Sequence, residues 1–176
     1  FHYLPTDISL KNNKITARGF YFKIINSNKK FFRKGKEQSV NLNNFHCVLI
    51  RQDPPFNMEY ITATYFLEML NKNVMVINNP TEIRNNPEKL SMFKFKNIIP
   101  QTLISKNLKE IKNFIKKNPF TILKPMYGNG GEGIEKVKRG SLKNKKIIKK
   151  MIKKYKGAII AQKFIKDIDK GDRRII

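Results

Sequence analysis

Residues 120–137, FTILKPMYGNGGEGIEKV, say most about how this chain folds. The first four residues are apolar and rich in β-forming side chains, which predicts a buried strand. Pro125 ends that strand directly after Lys124, because proline has no N–H to donate to a strand ladder. Residues 134–137 resume a strand pattern after a loop with four glycines, which are Gly128, Gly130, Gly131 and Gly133. Backbone amides in such an open loop can face an anion. The segment therefore predicts a hairpin in which one ammonium group and a glycine loop hold nucleotide phosphates.

The glycine spacing also matches better-known nucleotide motifs, but their context is missing. The pattern Gly-x-Gly-x-x-Gly of dinucleotide-binding folds opens a helix and needs an acidic residue about 20 positions later. Here a strand follows, and no Asp or Glu occurs between Glu135 and Asp167. A P-loop requires Lys-Ser/Thr after its glycines, and a kinase loop carries its lysine on a later strand. The alternative that stays open is a flexible hairpin beside a lysine that reaches solvent.

The overall composition is that of a globular protein with an unusual charge. The 176 residues are 40% hydrophobic, and no apolar run approaches the 18 residues of a membrane span. The net charge of +24 could indicate a nucleic-acid partner. However, Lys, Asn and Ile are enriched along the whole chain, and the lysines of residues 143–156 fall on the polar face of a predicted amphipathic helix. We therefore expect no specific nucleic-acid partner and no membrane anchor.

Cys47 is the only cysteine, so no internal disulfide can form, and a cytoplasmic setting is expected. Because Cys47 lies in an apolar run, we expect a buried strand thiol rather than a nucleophile. The chain begins inside a strand-like segment without methionine and stops where another apolar segment begins. Both ends therefore indicate a fragment of a longer protein.

The first half of the chain has the pattern of an α/β domain. Residues 8–17 predict a hairpin that turns at Asn12 and Asn13, because asparagine tolerates positive φ. Residues 45–50 and 74–77 predict buried strands on either side of a helix over 58–71, which gives a βαβ unit. Asn57 can cap this helix. Its apolar stripe is predicted to face the core and consists of Met58, Ile61, Tyr65 and Met69.

The second half has the pattern of a mixed α+β domain. Helices are predicted to begin at Leu108 and at Lys143, and strands over 103–105 and 158–164. The change of pattern near Asn86-Pro87 predicts a domain boundary between residues 86 and 87.

The segment RQDPPFN, residues 51–57, follows a predicted strand directly. Its two prolines predict a rigid loop. Ligands of open α/β sheets bind at the carboxyl ends of strands, so Arg51 and Asp53 are candidate substrate-binding residues. The alternative is an Arg51–Asp53 ion pair that only holds the loop.

At this point the chain resembles prokaryotic-type glutathione synthetases of the ATP-grasp superfamily. The resemblance covers nearly the whole chain and rests on motifs in matching order, which are RQDPPFNMEYITATY, VINNP, NPEKL, ILKPMYGNGGEGI and AQKFIKDIDKGDRRI. It implies an α/β fold, with a truncated Rossmann-like pre-ATP-grasp domain over 1–86. The first α+β lobe of an ATP-grasp domain, truncated at its end, would then occupy 87–176.

The resemblance also implies roles for single residues. Lys89 and Lys124 would hold the ATP phosphates, and the loop with Gly128, Gly130, Gly131 and Gly133 would close over them. The adenine would be held by the strand end Gln162, Lys163, Phe164 and Ile165. Arg174 would act as a catalytic residue near the transferred phosphate. The loop departs from the family pattern at Tyr127, Asn129 and Glu132.

The implied activity is an ATP-dependent peptide ligase that joins γ-glutamylcysteine to glycine through an acyl phosphate. It implies ATP and Mg²⁺, with the metal ligands beyond residue 176, and a homo-oligomer at full length. We therefore expect the fragment alone to be inactive. Two alternatives stay open, namely another ATP-grasp carboxylate–amine ligase and a basic nucleic-acid-binding module.

Overall fold

The computed structural model describes residues 1–25 and 31–171 and divides the chain into two compact units, Phe1–Pro87 and Glu88–Ile176. Both units combine helices with sheets, as the sequence predicts. Each unit has its own core of buried aliphatic side chains.

A three-stranded antiparallel sheet begins the first unit. Its strands are β1 (His2–Lys11), β2 (Lys14–Ile24) and β3 (Phe32–Asn41), in that spatial order. The turn between β1 and β2 has positive φ angles of 49° at Asn12 and 60° at Asn13, as the predicted hairpin requires. This hairpin is confirmed.

The predicted βαβ unit follows a short 3-10 helix, Leu42–Asn44. It consists of β4 (Cys47–Leu49), α1 (Met58–Glu68) and β5 (Met75–Ile77), with the two strands parallel. The side chain of Asn57 caps α1 by accepting from the N–H of Tyr60 at 3.0 Å. The order of elements is therefore confirmed, although each element is shorter than predicted.

The face that α1 buries differs from the predicted one. Ala63, Thr64 and Leu67 are the buried residues of the helix, whereas Met58 is 69% and Tyr65 50% exposed. The predicted stripe is wrong because apolar residues lie around nearly the whole circumference of this helix. In that situation the sequence pattern does not select one face, and the small Ala63 and Thr64 give the closest approach to the core.

The prediction of a buried Cys47 thiol is also wrong, since this residue is exposed. Successive side chains of a strand point to opposite faces. In β4 only the middle residue, Val48, points into the core, while Cys47 and Leu49 point to the other face and are exposed. An apolar run of this length therefore does not guarantee burial on both faces.

Helix α2 (Pro80–Asn85) is joined to α1 by a polar cluster around Arg84. The guanidinium donates to Thr64 Oγ1 at 3.1 Å and to Glu68 Oε2 at 2.5 Å, and it lies 4.3 Å from the ring centre of Tyr65. Thr81 donates its hydroxyl to the other carboxylate oxygen of Glu68. Both oxygens of this carboxylate are therefore satisfied by α2.

The stability of the first unit is expected to depend on the ionisation of Glu68. The hydrogen bonds from Thr81 and Arg84 hold the pKa of this carboxyl below its ordinary value of 4.5. A lowered folded-state pKa gives stability that is complete above the unfolded-state pKa and is lost as the pH falls through the folded-state value. Unfolding of Glu68→Gln, measured by circular dichroism against pH, should show less loss on acidification than the wild type.

Glu59→Gln is a matched control, because Glu59 is an exposed carboxylate on the same helix and forms no ion pair with any described residue. If Glu68→Gln lost stability with acidification as steeply as the wild type, the link between Glu68 and α2 would be refuted.

The second unit is built on a four-stranded antiparallel sheet with the spatial order β6-β9-β7-β8. The strands are β6 (Thr102–Ser105), β7 (Phe120–Pro125), β8 (Glu135–Lys138) and β9 (Ile159–Lys163). The helices are α3 (Glu88–Ser91), α4 (Leu108–Lys117) and α5 (Asn144–Tyr155), with 3-10 helices at Met92–Phe95 and Lys166–Lys170.

Helices α4 and α5 cover one face of this sheet. Ile111 of α4 and Ile148 of α5 are fully buried against Leu123 of β7. The strand register places Ile122 directly beside Gln162, so both side chains lie on the face opposite to Leu123. Lys124, two residues after Ile122, lies on that same face. The sheet therefore presents Lys124 and Gln162 on the side away from the two packed helices.

Helices α4 and α5 are amphipathic. Asn107 caps α4 by accepting from the N–H groups of Lys109 and Glu110, and the lysines of α5 are exposed as predicted. None of the helices in the described ranges has both the length and the apolar character needed to cross a membrane.

Candidate functional site

Two lysines of the second unit meet at the base of the glycine loop. Lys124 lies near the end of β7 and donates from Nζ to Gln162 Oε1 at 2.8 Å. Lys89, on α3, donates from Nζ to the carbonyl oxygens of Pro125 at 2.9 Å and Gly128 at 2.7 Å. Lys89 and Lys124 are 35 positions apart in the sequence, and the fold brings them to one place. Lys89 binds both ends of the turn that starts the loop.

Both ammonium groups lie in an environment that favours a bound anion. Burial lowers the pKa of Lys124. Burial also lowers the pKa of Lys89; Glu88 partly opposes this shift, and the positive charge of Lys124 adds to it. The two cations are therefore partly desolvated and close enough to repel each other. An anion placed between them would relieve that repulsion.

The loop between β7 and β8 requires glycine for two different reasons. Gly130, Gly131 and Gly133 have φ angles of 57°, 77° and 72°, which L-residues rarely adopt. A Cβ atom at Gly130 or Gly131 would meet nothing within 4 Å, so that side of the loop is open. A Cβ atom at Gly133 would overlap the hydroxyl of Tyr155. The loop is thus open at Gly130 and Gly131 and tightly packed at Gly133.

The end of β9 brings the side chain of Gln162 into the site, where it contacts Lys124, a contact that the sequence did not indicate. The neighbouring N–H groups are already used, because Lys163 donates to Gln101 O at 2.9 Å and Phe164 to Phe120 O at 3.3 Å. Ile165 follows the strand end and is 52% exposed. Adenine binding by Gln162, Lys163, Phe164 and Ile165 stays a prediction.

Two parts of the predicted site are not provided by the described residues. Arg174 lies outside the described ranges. Residues 1–25 and 31–171 contain no group of three or more His, Cys, Asp or Glu side chains that could hold a metal ion. The resemblance implies that the magnesium ligands lie beyond residue 176, and this stays a prediction.

The first unit holds the two candidate substrate residues in the loop after β4. Arg51 and Asp53 are exposed and line a cleft of about 410 Å³, together with Glu59 and mainly apolar side chains. Within the described part of the chain, Arg51 and Asp53 form no ion pair with each other. An Arg51–Asp53 ion pair therefore does not hold this loop in the structure.

The contacts of Lys124 and Lys89 could not be read from local sequence patterns. Gln162 reaches Lys124 only because β9 lies between β6 and β7, and that strand order is not visible in the sequence. Likewise, no local signal relates Lys89 to the carbonyl of Gly128.

Comparison with known families gives matches over nearly all of the chain. The model described as prokaryotic glutathione synthetase, N-terminal domain, matches residues 1–84. The model described as prokaryotic glutathione synthetase, ATP-grasp domain, matches residues 88–176. Together with the mixed α/β structure, these matches confirm the predicted fold class.

Curated relatives show the same similarity at the level of whole sequences. A glutathione synthetase of Mesorhizobium japonicum is 36% identical over 176 residues, which are 100% of this chain and 56% of the relative. One from Buchnera aphidicola subsp. Baizongia pistaciae is 38% identical over 97% of this chain and 53% of the relative. The chain thus spans about half the length of these relatives.

Solved structures with a similar fold include D-alanyl-alanine synthetase A from Vibrio cholerae. The match has a TM-score of 0.54 at 14% identity, and it covers 90% of this chain and 48% of the Vibrio cholerae chain. A D-cycloserine synthetase matches with a TM-score of 0.55, also at 14% identity. This match covers 74% of this chain and 47% of the synthetase chain. At this identity the likeness concerns the fold alone.

Proposed function

This chain belongs to the prokaryotic glutathione synthetase family, and we propose that the protein joins γ-glutamylcysteine to glycine with cleavage of ATP. The observation that carries the proposal is the pair of partly desolvated ammonium groups, Lys89 and Lys124, at the base of an open glycine loop. Compact point charges of this kind suit phosphate oxygens. The second unit would therefore bind the nucleotide.

The proposed reaction has two steps. An oxygen of the cysteinyl carboxylate attacks the γ-phosphorus of ATP, the bond to the β-phosphate oxygen breaks, and ADP leaves. The amine of glycine then attacks the acyl carbon, forms the new C–N bond, expels phosphate and loses a proton. Lys89 and Lys124 would hold the nucleotide phosphates in line for the first step and offset their negative charge.

The remaining roles follow the same proposal. The strand end at 162–165 would hold the adenine, and Arg174 would stabilise the transferred phosphoryl group. Mg²⁺ supplies charge neutralisation in phosphoryl transfer, and its ligands would come from outside the described residues. Arg51 and Asp53 would bind the peptide substrate. We further propose a homo-oligomer that works in the cytoplasm, where ATP is available.

The direct test is ATP-dependent phosphate release by the full-length protein. We expect release only when γ-glutamylcysteine and glycine are both present, with glutathione as the product in the mass spectrum. Turnover with a different carboxylate or amine would instead indicate another ligase of the same fold. Absence of nucleotide binding, together with tight oligonucleotide binding above physiological salt, would favour the nucleic-acid alternative.

Arg51→Ala in the full-length protein is expected to raise the KM for γ-glutamylcysteine about tenfold or more while leaving the KM for ATP nearly unchanged. The physical reason is the loss of one charge-assisted hydrogen bond to a carboxylate, about 1.5–3 kcal/mol. Steady-state kinetics with each substrate varied in turn would measure both constants.

Arg18→Ala provides the matched control, since Arg18 is also an exposed arginine of the first unit and does not line the cleft. An effect of Arg51→Ala on the KM for ATP alone would contradict its assignment to the peptide substrate.

A further inference from the structure

A row of hydrogen bonds crosses the sheet of the second unit and ends at the ammonium of Lys124. Lys124 Nζ donates to Gln162 Oε1 at 2.8 Å, and Gln162 Nε2 donates to Thr102 Oγ1 at 2.9 Å. The hydroxyl of Thr102 in turn donates to the carbonyl oxygen of Pro100 at 2.7 Å. Three neighbouring strands, β7, β9 and β6, thus contribute one side chain each to a continuous row.

The register of the strands explains why these side chains meet. Thr102 lies directly beside Gln162, and Gln162 lies directly beside Ile122. Directly paired residues of antiparallel strands share a face of the sheet, and so do residues two apart on one strand. Thr102, Gln162 and Lys124 are therefore all on the face opposite to the helices α4 and α5.

The chemistry of the groups gives the row a single direction. An ammonium has three donors and no acceptor, so it must face the oxygen of the Gln162 amide and not its nitrogen. The amide nitrogen then needs an acceptor, which is the hydroxyl oxygen of Thr102. That hydroxyl still has one hydrogen, and Pro100 O accepts it. Thr102 is thus the residue that holds the Gln162 amide with its oxygen toward Lys124.

The orientation of the Gln162 amide affects Lys124 because the positive charges of Lys124 and Lys89 repel each other. A lysine side chain has four rotatable bonds and, when unbound, could swing away from a second cation. The Gln162 oxygen opposes that movement while leaving two ammonium hydrogens for a ligand. Holding a binding group in place before the ligand arrives improves affinity, since less conformational freedom is lost on binding.

We propose that Thr102 is a positioning residue for the nucleotide phosphates, acting on Lys124 through the amide of Gln162. The inference rests on the proposed function, because it assumes that Lys124 binds ATP. Thr102 itself need not touch the nucleotide.

The test is the Kd for ATP of the full-length protein, measured by isothermal titration calorimetry with the wild type, Thr102→Val and Thr102→Ser. Valine has the shape of threonine without its hydroxyl, and we expect the Kd to rise about three- to tenfold, as for one lost hydrogen bond. Serine keeps the hydroxyl and should bind ATP within about twofold of the wild type. Thr102→Ala is the second variant without a hydroxyl, should valine fail to fold.

Thr121→Val is a matched control on the same sheet. Thr121 is fully buried on the opposite face, and its hydroxyl has no hydrogen-bond partner among the described residues. The same chemical change there should leave the Kd for ATP unchanged. It should also raise the free energy of unfolding, because a buried unsatisfied hydroxyl is removed.

A double-mutant cycle separates positioning from a general structural effect. If Thr102 acts through Lys124, Thr102→Val should change the Kd little in a Lys124→Ala background. An equal effect in both backgrounds would overturn the inference, as would wild-type affinity in Thr102→Val. If the wild-type protein did not bind ATP at all, the proposed function would fail and this inference with it.

Discussion

Replacing Lys124 by alanine in the full-length protein is expected to raise the Kd for ATP by about 10- to 100-fold. This range corresponds to the loss of one charge-assisted hydrogen bond, which contributes about 1.5–3 kcal/mol. The loss is large because this ammonium is half-buried and held in place by Gln162. Ligase activity should fall at least as much, since the nucleotide would no longer be held in line. Titration calorimetry and phosphate release would measure the two effects.

Two further variants make this result specific. Lys150→Ala removes the same charge from the exposed face of α5, so ATP binding should be nearly unchanged if position, not net charge, matters. Lys124→Arg keeps the charge but replaces a compact ammonium by a planar fork, so it should restore binding only in part. Equal affinity of Lys124→Ala and the wild type for ATP would refute the assignment of Lys124 to phosphate binding.

The sequence predicts those parts of this molecule in which the physical signal is local. The turn at Asn12 and Asn13 depends on the conformational tolerance of these two residues, and it was predicted correctly. Helix α5 alternates lysine and aliphatic residues with a clear helical period, so its buried face, which includes Ile148 and Met151, could be assigned. Each of these features depends on residues within one or two turns of chain.

Features that depend on strand order or on competition between faces could not be predicted. Helix α1 is apolar nearly all round, so its contacts with the rest of the first unit, not its own pattern, decided that Ala63 and Leu67 are buried. The row from Lys124 to Thr102 exists only because β9 lies between two strands that are distant from it in sequence. The candidate residues Lys89 and Lys124 were identified by resemblance, but their hydrogen-bond partners required the structure.

A second large effect, on the free energy of unfolding, is expected from a substitution at Gly133 of the glycine loop. Gly133 combines a positive φ of 72° with the close approach of Tyr155, an aromatic residue at the end of α5 that packs against the core. An alanine there has two unfavourable consequences, because its backbone is strained and its Cβ overlaps the tyrosine hydroxyl. Tyr155 is half-buried against the core, so the overlap displaces the loop, the tyrosine ring or both.

Gly133→Ala is therefore expected to lower the free energy of unfolding by about 2–5 kcal/mol, from about 1–2 for the left-handed conformation and about 1–3 for overpacking. ATP binding should weaken as well, because the backbone strain at residue 133 acts on the loop whose amides would face the phosphates. Urea unfolding and titration calorimetry on the full-length protein would give both values.

Gly131→Ala separates strain from overlap, because Gly131 has a similar φ of 77° but an added Cβ would meet nothing within 4 Å. Gly131→Ala should therefore lower the free energy of unfolding only by the contribution of the strained backbone, about 1–2 kcal/mol. Tyr155→Leu keeps an apolar side chain at the end of α5 but removes the hydroxyl that the new Cβ would meet. Combined with Gly133→Ala, it should recover part of the lost stability, as residues in contact are energetically coupled. Equal costs for Gly131→Ala and Gly133→Ala, with no recovery in the double variant, would show that Tyr155 does not constrain the loop.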